Sequence, residues 1–110
     1  MSEIAYTVKC AFTDEAVGEE WVAWLRGEHL AEVLEAGAEH ASIVKLDTDE
    51  SDGDRGAHYE VRYRFPSREI FNAYEKQHAP RLREKGLERF PLDRGLKYER
   101  STGEIIAERH

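Results

Sequence analysis

Residues 58–67 read His-Tyr-Glu-Val-Arg-Tyr-Arg-Phe-Pro-Ser, and this stretch decides the fold. Tyr59, Val61, Tyr63 and Phe65 alternate with His58, Glu60, Arg62 and Arg64, the period-two pattern of a strand with one apolar and one charged face. Pro66-Ser67 ends the strand and opens a helix. The Ser67 hydroxyl can accept from the first free backbone N–H groups, and Ile70, Phe71 and Tyr74 then recur at helical spacing.

The same succession precedes it in the chain. Ile4, Tyr6, Val8, Cys10 and Phe12 alternate with Ala5, Thr7, Lys9 and Ala11, which predicts a first strand with one buried face. Asp14 offers an N-cap, and Val17, Trp21, Trp24 and Leu25 form the buried stripe of a helix over about 15–26. Gly27 is expected to interrupt it; Leu30, Val33 and Leu34 resume as a second short piece ending at Gly37, a left-handed cap. The later half matches: His78 is followed eight residues on by Gly86, as His29 is by Gly37. Pro80 suits the first turn of a short helix through Leu82, with Gly86 expected to end it. Ser42 to Leu46 reads as a second strand, the acidic segment 47–54 as a hairpin loop, and Leu96 and Tyr98 mark a fourth strand.

The order is β-α-β-β-α-β. Right-handed crossovers then place the first and third strands side by side in the centre of a four-stranded antiparallel sheet, with the helices on one face. This is an α+β sandwich of the ferredoxin-like kind. With apolar strand faces turned to the helices, the opposite face carries Thr7, Lys9, Glu60, Arg62, Arg64, Lys97 and Glu99.

Composition bounds the function. The 110 residues suit one domain, 1–110. Cys10 is alone, so neither a disulfide within the chain nor a Cys-x-x-Cys redox pair can form. A formal charge of −7 argues against nucleic acid and anionic membranes as partners, since both demand a basic surface. No charged leader or long apolar run is read near Met1-Ser2-Glu3-Ile4, and a cytoplasmic protein is expected.

Trp24-Leu25 through Glu28-His29 to Val33-Leu34 and Gly37, and above all His78-Ala79-Pro80-Arg81-Leu82-Arg83 with Gly86-Leu87-Glu88-Arg89-Phe90, carry a resemblance. Together with Tyr63 and the turn Pro66-Ser67-Arg68-Glu69, they resemble a small bacterial family classed as domain of unknown function 4286. The resemblance implies a ferredoxin-like fold and kinship with the dimeric α+β barrel proteins; it brings no established activity.

Imidazole titrates near neutral pH, so His29 and His78 are candidate catalytic groups. A helix of about 12 residues is about 18 Å long, and the repeat is expected to set the two rings at opposite ends of the helix layer, too far apart to share a metal. A structural role at a helix end is the plainer reading for each; a single histidine beside Tyr63 is the enzymatic alternative. On the charged face, Lys9, Arg62, Arg64 and Lys97 outnumber Glu60 and Glu99. Guanidinium forks there could hold a carboxylate or phosphate, against the plain reading of cross-strand pairs.

Asp47, Asp49, Ser51 and Asp52 only partly match a calcium loop, with Gly53 late and His58 where Glu is needed; no metal is expected. The aromatic residues read as core, Cys10 as an inert buried thiol, and Arg81, Arg83, Lys85 and Arg89 as a basic helix surface. Apolar residues on the outer sheet face would favour a hydrophobic substrate and cofactor-free oxygenase chemistry, but charged residues stand there. The expected function is therefore a small-molecule-binding or regulatory module with an anionic ligand on Lys9, Arg62, Arg64 and Lys97, requiring no cofactor and forming a homodimer. The alternatives are a small cofactor-independent enzyme using His29 or His78, and a structural interaction domain.

Overall fold

The computed structural model describes residues 2–47 and 56–109. The strands are β1 (Ile4–Phe12), β2 (His40–Lys45), β3 (Ala57–Phe65) and β4 (Leu96–Glu104); the helices are α1 (Glu15–Trp24), α2 (Leu30–Glu35), α3 (Arg68–Gln77) and α4 (Ala79–Arg89). The sheet order is β2-β3-β1-β4, every neighbouring pair antiparallel. The expected β-α-β-β-α-β sandwich, with β1 and β3 in the centre, is the observed fold. The expected acidic hairpin and its calcium-like residues lie, from residue 48 onward, outside the described residues.

Register explains the core. Ile4, Tyr6, Val8 and Cys10 pair with Phe65, Tyr63, Val61 and Tyr59, so alternate residues of both central strands enter one face together. Trp21, Leu25, Val33, Phe71, Tyr74 and Leu82 cover that face from the helices. Phe65 is fully buried between Phe71 and Tyr74, its ring centroid 5.1 and 5.0 Å from theirs. Both helix starts are capped as read: Asp14 accepts from the Ala16 N–H at 2.9 Å and Ser67 from the Ile70 N–H at 3.2 Å. Among the described residues, no helix is long and apolar enough to cross a membrane.

Two expectations about glycine need correction. Gly27 does not interrupt the first helix: a π turn over Leu25–His29 joins α1 to α2 without a break. Gly86 does not end a helix but lies buried inside α4, where an added Cβ would sit 3.4 Å from Trp24 Cη2. It serves close helix packing. Gly37, by contrast, has φ +132° and closes α2, with the Ala38 N–H reaching the Val33 carbonyl at 3.2 Å.

Candidate functional site

The helices cover β1 and β3 more fully than β4. On the helix-facing side of β4, Tyr98 is half-buried while Arg100 and Thr102 are exposed, and Val8, paired with Arg100, is itself half-buried. A narrow cavity of about 50 Å³ opens there between sheet and helices, walled by Tyr6, Tyr63, Tyr74, His29, Arg83 and Arg100 among others. That is room for roughly three to five waters, or the reactive end of a small molecule.

The π turn puts His29 on this wall. Five residues along an α-helix turn about 140° around the axis, which would point His29 away from Trp24. In the π turn the Leu30 N–H bonds back to the Leu25 carbonyl, and the wider turn stacks the two rings at 4.6 Å and 21°. Burial pulls the imidazole down to about 4, against the opposing effect of Glu32 and with a smaller contribution from Lys85. Its Nδ1 is shut off from solvent with no hydrogen-bond partner among the described residues. Beside the turn, Lys85 binds Glu32 at 2.7 Å and Glu28 at 3.6 Å.

Tyrosines furnish the opposite wall. Tyr6 and Tyr63 stack at 5.8 Å and 21°. Burial, reinforced by neighbouring tyrosines, pushes the hydroxyls of Tyr63 and Tyr74 well above the ordinary phenol range, so both stay protonated. Arg83 donates to the Tyr6 hydroxyl at 3.2 Å and to both Glu75 oxygens at 2.8 and 3.1 Å, while its buried Nε has no partner among the described residues. Arg100 lies over the Tyr98 ring at 5.3 Å. Burial pushes the Cys10 thiol up to about 12, leaving it protonated in the core on the same inner face.

The candidate residues read from sequence are thereby separated. His29 and Tyr63 share the cavity. His78 is half-buried at the α3–α4 joint, where its N–H reaches the Tyr74 carbonyl at 2.9 Å, and it does not line the cavity. On the outer face, Arg62 donates twice to Glu60 at 3.1 Å. Arg64 contacts Glu3, Glu39 and Glu108 at 2.9, 3.3 and 3.1 Å. Lys9 stands in register between Glu60 and Glu99, and Lys97 is exposed near the sheet edge. The two arginine forks are thus filled by the protein's own carboxylates. Arg83, read as part of a basic surface, turns inward instead.

Tyr6, Tyr74, Arg83 and Arg100 had escaped as site residues, although their spacing carries a signal. Arg100 follows Leu96 and Tyr98 at period two, the inner face of β4. Arg83 shares a helical face with the buried Ala79, Leu82 and Gly86. Charge alone made them look superficial.

Solved structures share this architecture. A dimeric ferredoxin-like protein from an uncultured marine organism superimposes with TM-score 0.71 at 14% identity, covering 98% of this chain and 99% of its own. A Bacillus cereus protein described as a candidate antibiotic biosynthesis monooxygenase gives 0.70 at 15% identity, over 100% and 99%. HapK from Hahella chejuensis gives 0.64 at 13% identity, over 100% and 97%. At such identities the likeness is one of fold. No curated protein matches the sequence. The pattern of one family does, over residues 3–102: the chain belongs to the family described as Domain of unknown function (DUF4286).

Proposed function

We propose that the cavity between sheet and helices binds a small oxygen-bearing molecule, on which His29 acts as a general base without a cofactor. One observation carries this reading: a neutral, partly desolvated imidazole stands on the wall of a cavity that phenols and guanidinium groups also line. Held near 4, the free imidazole is a weak base, but it is uncharged and available throughout the neutral range. A ligand bringing negative charge beside it strengthens it. Tyr63, kept as a phenol, is a donor for the same ligand.

The test is a panel of small ketones, amides, carboxylates and phenols, followed by tryptophan fluorescence and by the ¹⁵N shifts of the His29 ring. The expected result is that some members move both signals in the native protein and neither in Leu87→Trp, which obstructs the cavity. If no member moves the His29 resonances, the reading is wrong.

A second reading keeps an anionic ligand on the outer face, at Lys9, Arg62, Arg64 and Lys97. Its support is the exposure of Arg62, whose side chain is 53% accessible and can exchange Glu60 for another carboxylate. An anion screen that responds equally to the native protein and to Arg62→Ala/Arg64→Ala excludes it. The same face supports a homodimer: on β1 the small residues Ala5, Thr7 and Ala11 flank Lys9, and the marine neighbours are described as dimeric. Native mass spectrometry at micromolar concentration should then give twice the chain mass.

A further inference from the structure

Resting on the cavity reading above, we propose that the site is built to stabilise an oxyanion, and that its substrates are short enolisable carbonyl compounds, 2-oxo acids above all. The geometry around Tyr6 fixes the direction of hydrogen bonding. Arg83 can only donate, so at 3.2 Å from the Tyr6 oxygen it occupies a lone pair and leaves the Tyr6 proton free to donate elsewhere. Tyr6 lines the cavity. Both Glu75 oxygens accept from the same Arg83 Nη2, which holds that nitrogen against the Tyr6 hydroxyl. Tyr6 is thus the donor at the cavity, and Arg83 holds its hydroxyl in orientation.

Arg100 supplies a second anchor. It pairs with Val8, and Tyr6 pairs with Thr102, so Arg100 and Tyr6 are diagonal neighbours on the inner sheet face, roughly 7–8 Å apart. In this proposal a 2-oxo acid puts its ketone oxygen at Tyr6 and its carboxylate on the side of Arg100, whose guanidinium lies over Tyr98. On a chain of net charge −7, with Arg83 engaged by Glu75, Arg100 is the cation that draws an anion to this cavity.

The step balances without a co-reactant. A His29 ring nitrogen takes the proton from the carbon beside the ketone; the C–H electron pair becomes the C=C bond, and the C=O pair moves onto oxygen. Enolate and imidazolium form together and stabilise each other in a medium of low dielectric. Return of the proton to the same or a neighbouring carbon restores both.

The probes are pyruvate, whose methyl protons exchange in D₂O only through the enolate, and oxalate, a planar anion shaped like that enolate. Native protein should speed exchange at least tenfold over buffer and bind oxalate more tightly than pyruvate, as an enolate-complementary site must. Tyr6→Phe should slow exchange roughly 100-fold and Arg83→Gln, which frees that hydroxyl to turn, by less, whereas Arg100→Gln should raise KM and leave kcat nearly unchanged. Oxalate binding to the native protein needs no variant to fold. Oxalate bound no tighter than pyruvate, or exchange no faster than in buffer, overturns the oxyanion assignment. If members of the wider panel enter the cavity while pyruvate and oxalate do not, this inference alone falls; if nothing enters, the cavity reading falls with it.

Discussion

Phe65 and Arg64 are neighbours in the chain and face opposite sides of the same strand. Phe65 is fully buried among Phe71 and Tyr74, whereas Arg64 keeps about a third of its side chain in solvent and gathers three carboxylates from Glu3, Glu39 and Glu108. The difference runs along the sheet. Over β1 and β3 the inner face excludes water, so a polar group there is costly unless engaged at close range; the outer face leaves water as an alternative partner for its charges. The outer face carries more charge, and the inner face places its few polar groups where chemistry is strongest.

Truncation on the inner face should have the largest effect. Phe65→Ala is expected to cost about 3–5 kcal/mol in urea unfolding, because it empties a packed site; a loss under about 1 kcal/mol would mean the core is looser than the ring contacts imply.

Acid sensitivity comes next. His29 is held at about 4 against an ordinary 6.5, so the unfolded chain takes up its proton first as the pH falls. The stability of the neutral buried ring is complete above 6.5 and lost on descent to about 4, by roughly 3 kcal/mol. His29→Gln should shed that part of the pH dependence when unfolding is compared at pH 7 and pH 4.5. Equal slopes in the two proteins would remove His29 from the inner-face account.

Gly37→Ala should cost about 1–2 kcal/mol, since φ is +132° and the new Cβ would meet Ile70 Cγ2 at 2.9 Å; thermal unfolding tests it. Smallest of all, Arg62→Ala on the outer face should change stability by about 0.2–1 kcal/mol and less at high salt. A larger change would show that the outer face is covered, as a homodimer requires.

Much of this was legible in the chain. The alternation in 4–12 and 58–65 gave both central strands and their buried faces, and Asp14 and Ser67 cap the helices as their side chains suggest. The misreadings share a cause. Gly27 and Gly86 were treated as local punctuation, but a π turn absorbs the first, and the approach of Trp24 explains the second. Arg83 was read as basic surface because charge was equated with exposure, although it keeps the spacing of buried neighbours.

The repeated His and Gly pointed to two equivalent halves, and only the tertiary structure broke that equivalence. Local pattern determines secondary structure because periodicity and capping involve residues a few positions apart. Which histidine reaches the cavity depends on Trp24, α4 and the uncovered half of β4 meeting around it, contacts between distant segments that no local pattern encodes. The sequence by itself settled the ferredoxin-like order and the two-faced sheet. The tertiary structure decided that His29, Tyr6 and Arg83 line one small cavity while the arginines of the outer face are spent on the protein's own carboxylates.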